Sequence, residues 1–132
     1  MGKYIDYGEN IVYNGCEDTV ELVEEIQTKQ GLLIQIWDVD LLHALNGHPE
    51  VTLDRIQNAL ERPIKVMKSK KSNRVCLFYT LEVEDDPDFG KIYSCVVVGV
   101  IGPGIGKMET AYETTVIKSG HVLYAKELSN DY

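Results

Sequence analysis

The chain has 132 residues, of which 44% are hydrophobic and 26% charged, and it carries a formal net charge of −8. This length and composition are typical of one globular domain with its own core. No apolar run approaches the ~20 residues of a membrane-spanning helix, and the first residues lack the apolar segment of a signal peptide, so we expect a cytoplasmic protein with no membrane partner. The acidity excludes indiscriminate coating of nucleic acid, because phosphate binding depends on Lys and Arg.

The basic residues are unevenly distributed along the chain. Six of the 13 Lys and Arg residues lie within residues 62–74, which contain no Asp or Glu. A basic segment on an acidic body indicates a nucleic-acid-binding surface better than the net charge does. A solvated turn explains the same segment equally well, so both interpretations stay open.

The sequence offers little to hold a metal or a cofactor. The three cysteines, Cys16, Cys76 and Cys95, are too far apart for a zinc or redox pair, and the last two lie in apolar runs typical of buried cysteine. Residues 84–88 are acidic but lack the ligand order of an EF-hand, and residues 102–107 lack the glycine spacing of a phosphate loop. We therefore predict no metal and no cofactor.

The first part of the chain, residues 1–45, predicts an arm followed by helices. Residues 1–15 indicate a short hairpin or an irregular arm, because turn-forming residues alternate with apolar ones. Residues 18–30 predict a helix, since Asp18 and Glu21 have the spacing of a capping box and apolar residues follow at helical intervals. We therefore expect the packed part of the chain to begin with a helix.

A short strand at residues 32–36 and two more helices come next. Asp38 is the predicted N-cap of the second helix, which a glycine ends. Thr52 is the predicted N-cap of the third helix, and Pro63 ends it because proline cannot continue a helix. His48 lies in the turn between these two helices, so packing on both sides fixes its position.

The rest of the chain predicts a sheet of antiparallel strands, because their connections are short. Residues 96–98 are all apolar, so the third strand is expected at the centre of the sheet, buried on both faces. Alternation along the last long strand places Met108, Thr110, Tyr112 and Thr114 on one face. The predicted strands are residues 64–69, 74–82, 91–101 and 107–118, with a short terminal segment at residues 122–124.

Together these elements predict an α+β fold, in which N-terminal helices precede a four-stranded antiparallel meander sheet and pack on one of its faces. We expect one domain over residues 1–132, with an arm and helices in residues 1–45 and a sheet module in residues 46–124. In the second strand of this module, alternation separates Leu77 and Tyr79 from Cys76 and Phe78.

Several short motifs follow one another through the sheet module. His48-Pro49-Glu50-Val51 precedes a helix that ends in Leu60-Glu61-Arg62-Pro63, Leu77-Phe78-Tyr79 and Cys95-Val96-Val97-Val98 lie in two strands, and Glu109-Thr110-Ala111-Tyr112-Glu113-Thr114 precedes Ile117-Lys118-Ser119-Gly120. In this order the module resembles the phage-associated barnase/EndoU/colicin/RelE-like (BECR-fold) nuclease domains. The resemblance implies a helix-then-four-strand fold and a metal-independent ribonuclease, in which the 2′-OH of RNA attacks the adjacent phosphate and leaves a 2′,3′-cyclic phosphate.

The resemblance also implies roles for individual residues. His48 would be the general acid/base, Thr110 and Tyr112 would direct two hydroxyls at one phosphate, with Tyr79 on a neighbouring strand, and Lys68 would supply positive charge. The implied partners are RNA, as tRNA or mRNA, and a protein inhibitor or antitoxin, since several such domains are toxins or phage effectors. The residues that would hold the RNA backbone are Lys70, Lys71, Arg74 and Lys118.

Packing explains the same residues without catalysis. Tyr79, Thr110 and Tyr112 have high strand propensity, and His48 before a proline can serve as a capping residue. The alternative to a ribonuclease is therefore a catalytically inactive module of the same fold. Such a module would act as an interaction protein and bind a basic partner through its acidic body.

Overall fold

The computed structural model describes residues 20–126, which form seven strands and two helices. The arm predicted at residues 1–15, and Cys16, lie outside the described residues. The helices are α1 (Asp38–Gly47) and α2 (Leu53–Glu61). The strands are β1 (Leu22–Gln27), β2 (Leu33–Trp37), β3 (Lys65–Lys68), β4 (Val75–Asp86), β5 (Gly90–Gly102), β6 (Ile105–Thr114) and β7 (His121–Ala125).

The seven strands form one sheet in the order β1-β2-β6-β5-β4-β3-β7. Strands β3 to β6 form the antiparallel meander that the sequence predicts, with β5 at the centre. However, β2 pairs with β6 in parallel, and β1 and β7 extend the two edges. The predicted fold class, N-terminal helices followed by a four-stranded antiparallel sheet, is therefore wrong. The sheet is seven-stranded and mixed, and its first described element is a strand.

The helix predicted at residues 18–30 is also wrong, because these residues contain β1 and a tight turn. Strand β1 pairs antiparallel with β2. In the turn, the carbonyl of Thr28 accepts the N–H of Gly31 at 3.2 Å, and its hydroxyl accepts the N–H of Leu32 at 3.1 Å. Gly31 has a φ of +94°, which suits glycine. The valine and isoleucine residues that suggested a helix also have high strand propensity. Pairing with the adjacent β2 stabilises the strand instead of the helix.

The two helix starts predicted from capping residues differ in outcome. The hydroxyl of Thr52 accepts the backbone N–H of Arg55 at 3.4 Å, so the predicted N-cap of α2 is confirmed. Helix α1 also forms, but its N-cap is Trp37 and not Asp38. The carboxylate of Asp38 instead accepts the N–H of Glu21 at 3.0 Å, which attaches the start of β1 to the helix.

The two faces of the sheet carry separate apolar clusters. Both helices pack on one face, called the helix face, where Ile56 of α2 is fully buried in one cluster with Phe78. The opposite face is called the far face. The alternation predicted for β4 is confirmed, since Cys76 and Phe78 belong to the helix face and Leu77 and Tyr79 to the far face. The buried residues of the far face are Met67, Leu77, Tyr79 and Cys95.

The predicted face of Met108 is wrong because β6 contains a bulge. Val97 pairs with Thr110, but the next residue of β5 pairs with Met108, so β6 has an extra residue at this point. Met108 therefore lies in the helix-face cluster together with Ala111. Tyr112 packs against the far-face cluster, and Thr110 shares its face as predicted.

A segment without regular structure, residues 115–120, connects β6 to β7 and crosses the far face. It passes β5, β4 and β3, because β7 lies at the opposite edge of the sheet. Four strand spacings are about 19 Å, and an extended chain needs about six residues to cover that distance, which explains why this crossing segment is extended. Ile117 packs on the far-face cluster. A Cβ at Gly120 would lie 2.5 Å from the carbonyl oxygen of Lys68, so the segment passes too close to β3 for a larger residue.

Candidate functional site

The turn between α1 and α2 places His48 beside the open edge of the sheet that the later part of β6 forms. Strand β2 pairs with β6 only over residues 105–107, so the later part of β6 has a strand, β5, on one side only among residues 20–126. The ring of His48 lies 6.0 Å from the ring of Tyr112, centroid to centroid, at an angle of 50°. The structure therefore brings together two residues that the sequence predicts for one site.

Glu50 contacts His48 within the same turn. Its Oε2 lies 3.5 Å from Nδ1 of His48, and the two side chains are 38% and 46% exposed. A carboxylate at one ring nitrogen orients the imidazole, and Nε2, which takes no part in this contact, becomes the nitrogen for a substrate. Sequence reasoning did not assign a role to Glu50. Its place in the His-Pro-Glu motif is the signal that could have indicated one.

Tyr112 is the centre of a surface cluster that it forms with His48, Glu50 and Lys118. The ammonium Nζ of Lys118 lies 5.7 Å from the centroid of the Tyr112 ring, within cation–π range. The hydroxyl of Tyr112 is buried and makes no hydrogen bond to the described residues. Burial raises the pKa of Tyr112 well above its ordinary value, so the side chain stays a neutral phenol. The ring, rather than the hydroxyl, is therefore what Tyr112 contributes to the contacts with His48 and Lys118.

A row of directly opposed residues runs across the far face from this cluster, through Tyr112, Cys95, Tyr79 and Lys65. Tyr79 is fully buried, and its hydroxyl accepts the backbone N–H of Lys118 at 3.1 Å. Burial raises the pKa of Tyr79 to about 12. Burial likewise raises the pKa of the free Cys95 thiol. The structure therefore places Tyr79 below the crossing segment, where it fixes the backbone of Lys118.

Lys68 is not brought to the cluster. It pairs with Cys76, a helix-face residue, and its strand lies three positions from that of Tyr112, about 14 Å away at the usual strand spacing. Lys65 shares the far face with Tyr79 instead, and alternation along β3 was the signal for it. Thr110 lies on the far face two residues from Tyr112, so their Cα atoms are about 7 Å apart.

The predicted RNA-binding residues form a second group at the far end of the crossing segment. Lys70, Lys71 and Arg74 are exposed in the turn between β3 and β4. Nζ of Lys70 lies 3.5 Å from Oγ of Ser119, so this basic turn meets the segment one residue after the exposed Lys118. The crossing segment thus leads from Tyr112 to the basic turn.

Arg55 makes the most extended polar network around the cluster, and sequence reasoning missed it. Its Nε donates to Oγ of Ser94 at 3.0 Å, its Nη1 to the carbonyl of Glu50 at 2.8 Å, and its Nη2 to Oε2 of Glu113 at 3.0 Å. Ser94 in turn donates to Oε2 of Glu82 at 2.8 Å. No local pattern could indicate this network, because its members come from distant parts of the chain.

Within residues 20–126, no group of three or more His, Cys, Asp or Glu residues is arranged to hold a metal ion. None of the helices in that range has both the length and the apolar character needed to cross a membrane. Comparison of the chain with protein-family models, with curated proteins and with solved structures finds no match.

Proposed function

We propose that the protein is a cytoplasmic, metal-independent ribonuclease that cleaves tRNA or mRNA by attack of the 2′-hydroxyl on the adjacent phosphate. One observation carries the proposal: His48 and Lys118 lie on Tyr112, at 6.0 Å and 5.7 Å from its ring. A proton-transferring group and an exposed cation are thereby both held within contact range of one aromatic ring. This pair supplies what transesterification at phosphorus requires.

In the proposed reaction, Nε2 of neutral His48 accepts the proton of the 2′-hydroxyl as its oxygen bonds to phosphorus. The resulting imidazolium donates this proton to the 5′-oxygen as the phosphorus–oxygen bond to the leaving nucleotide breaks. The products are a 2′,3′-cyclic phosphate and a free 5′-hydroxyl. Lys118 stabilises the negative charge on the phosphorane oxygens, and Glu50 orients His48 through Nδ1.

The remaining residues support binding and position. The hydroxyl of Thr110 remains a candidate donor to the phosphate, whereas Tyr112 supplies its ring and Tyr79 holds the backbone of Lys118. The basic turn would bind the RNA backbone at the far end of the crossing segment, since phosphate contacts by Lys and Arg fix the register of a nucleic acid. A protein inhibitor or antitoxin would then have to cover the exposed cluster.

A catalytically inactive interaction module is the second candidate. It is favoured by the burial of Tyr79 and of the Tyr112 hydroxyl, because two of the residues implied as catalytic then pack rather than face a substrate. In that case the acidic body, with its net charge of −8, would bind a basic partner.

The experiment that tests the proposal is incubation of the purified protein with total RNA in EDTA. We expect cleavage with 2′,3′-cyclic phosphate ends, and we expect His48→Ala to lower the rate by about 100-fold or more, the usual effect of losing a general acid/base. His43→Ala is the matched control, because His43 is also an exposed histidine but lies within α1 and not in the turn that follows it. Circular dichroism checks that both variants fold.

Two results would contradict the proposal. Equal cleavage by wild type and His48→Ala would remove the role of His48. Absence of cleavage of both tRNA and mRNA by the wild type would favour the interaction module.

A further inference from the structure

Arg55 lies in the first turn of α2 and connects three separate parts of the fold. Its guanidinium binds Ser94 on β5, Glu113 on β6 and the backbone of Glu50 in the turn before α2. Only an arginine can serve these partners together, because its donors form a planar fork while a lysine is a single point charge.

The network is partly removed from water. Ser94 is fully buried, and the side chains of Arg55 and Glu82 are 22% and 21% exposed. Charge-assisted hydrogen bonds are shorter and stronger than neutral ones, and partly buried charges are screened less by solvent and salt. Arg55 therefore fixes the turn to the sheet more firmly than a surface ion pair would.

Glu50 is the link between this network and His48. Arg55 holds the carbonyl of Glu50 at 2.8 Å, and the carboxylate of the same residue contacts Nδ1 of His48 at 3.5 Å. The carbonyl of His48 in turn accepts the N–H of Val51 at 3.0 Å, which tightens the turn. The position of the His48 ring relative to Tyr112 thus depends on where Arg55 holds the backbone.

We propose that Arg55 is a positioning residue that holds His48 against Tyr112. The part of this inference that concerns the rate of RNA cleavage rests on the proposed ribonuclease function, whereas the part that concerns the position of the ring does not. The guanidinium of Arg55 bonds to Ser94, Glu113 and the Glu50 carbonyl, and makes no hydrogen bond to His48. It acts through Glu50.

The test uses Arg55→Gln and Arg55→Lys in the full chain, with Asp54→Asn as the control, since Asp54 is the exposed neighbour of Arg55 in α2. The direct readout is the nuclear Overhauser effect between the ring protons of His48 and Tyr112. We expect this cross-peak to be lost in Arg55→Gln, to be weakened in Arg55→Lys, and to be unchanged in Asp54→Asn. The contact between Tyr79 and Lys118, measured in the same spectra, should persist in all three.

The kinetic readout separates positioning from substrate binding. In Arg55→Gln we expect kcat for RNA cleavage to fall about 10- to 100-fold, because a small displacement of a reacting group has effects of this size. KM should stay unchanged, since Lys118 and the basic turn are untouched. An increase in KM at constant kcat would overturn the inference.

The two proposals fail in different ways. An unchanged His48–Tyr112 cross-peak in folded Arg55→Gln overturns the positioning role, whatever the RNA assay gives. Loss of the cross-peak supports that role even if the wild type cleaves no RNA, which would count against the ribonuclease alone. If Arg55→Gln does not fold, Arg55→Lys takes its place, because lysine keeps the charge but lacks the planar fork, and there an unchanged cross-peak overturns the inference.

Discussion

Tyr79 and Tyr112 have the same chemistry and lie two strands apart on the far face, yet their hydroxyls have different surroundings. The hydroxyl of Tyr79 accepts a hydrogen bond from the backbone of Lys118, while that of Tyr112 is buried without a partner among the described residues. A buried hydroxyl contributes to stability mainly through the hydrogen bond that it makes. The two tyrosines therefore differ in what their hydroxyls do for the fold.

We predict that Tyr79→Phe lowers the free energy of unfolding by about 1 kcal/mol, the usual net value of one hydrogen bond. The change removes the acceptor that fixes the crossing segment and leaves the packing of the ring in place. Urea unfolding followed by circular dichroism measures the difference. Tyr93→Phe is the control, because Tyr93 packs edge-on against Tyr79 and its hydroxyl does not hold this segment. A midpoint for Tyr79→Phe equal to that of wild type would contradict the assigned role.

For individual residues, the sequence predicts the face of the sheet on which a side chain lies better than it predicts which side chains contact each other. Alternation correctly separates Leu77 and Tyr79 from Cys76 and Phe78, because the period of a strand is fixed by its backbone. It fails at Met108, since a bulge shifts the period by one residue and leaves no reliable mark in the sequence. The contact of His48 with Tyr112 could be expected only from the family resemblance, because it joins residues far apart in the chain.

Among the elements, α2 was the most predictable and β1 the least. Local residues specify α2, since Thr52 caps it and Pro63 follows it. β1 depends on pairing with β2, and its apolar residues fit a helix equally well. A helix satisfies its own backbone, whereas a strand requires a partner that local patterns do not reveal.

The turn between β3 and β4 is the element on which RNA binding should depend. We predict that Lys70→Gln/Lys71→Gln weakens binding of a non-cleavable 2′-deoxy analogue and reduces the salt slope of the binding constant by about 1.4, since each neutralised phosphate of a single strand contributes about 0.7. Fluorescence anisotropy over a range of salt concentrations measures both quantities.

Lys91→Gln serves as the control for this experiment. Lys91 is exposed and lies near Glu84, in the acidic hairpin between β4 and β5. Its loss should leave the salt slope unchanged. An equal effect of Lys91→Gln and the double variant would show that net charge, and not the basic turn, determines the affinity.

The molecule as a whole should lose stability at alkaline pH. The pKa of Tyr79 is raised to about 12, and burial also raises those of Tyr112 and Cys95. An unfolded tyrosine ionises near pH 10, so above that pH the unfolded state binds fewer protons than the folded state. The stabilisation from Tyr79 is complete below about pH 10 and is lost as the pH rises towards about 12.

We therefore predict that the free energy of unfolding falls between about pH 10 and 12, by up to about 1.4 kcal/mol per pH unit from Tyr79. Urea unfolding at a series of pH values, together with the absorbance of tyrosinate, measures this loss. Tyr79→Phe should show a shallower decline. A stability that stays constant to pH 12 would contradict the burial of these side chains.

The topology of the whole sheet could be predicted only in part. The meander of β3 to β6 follows from short connections between strands, which make sequence neighbours pair. The parallel pairing of β2 with β6 joins residues 33–35 to residues 105–107 across two helices and three strands. No local signal specifies such a pairing, so the sheet was expected to be four-stranded when it is seven-stranded.

The crossing segment has a consequence for the order in which the chain folds. The strands of the meander pair with their neighbours in sequence and close only short loops, whereas β7 can pair with β3 only after the crossing segment has passed over β5, β4 and β3. Ile117 and Gly120 need the surface of these strands beneath them before they can pack. The pairing of β7 is thus a late, non-local event with a high entropic cost. Substitutions in β7 should act on the rate at which the protein unfolds and leave the rate of folding nearly unchanged.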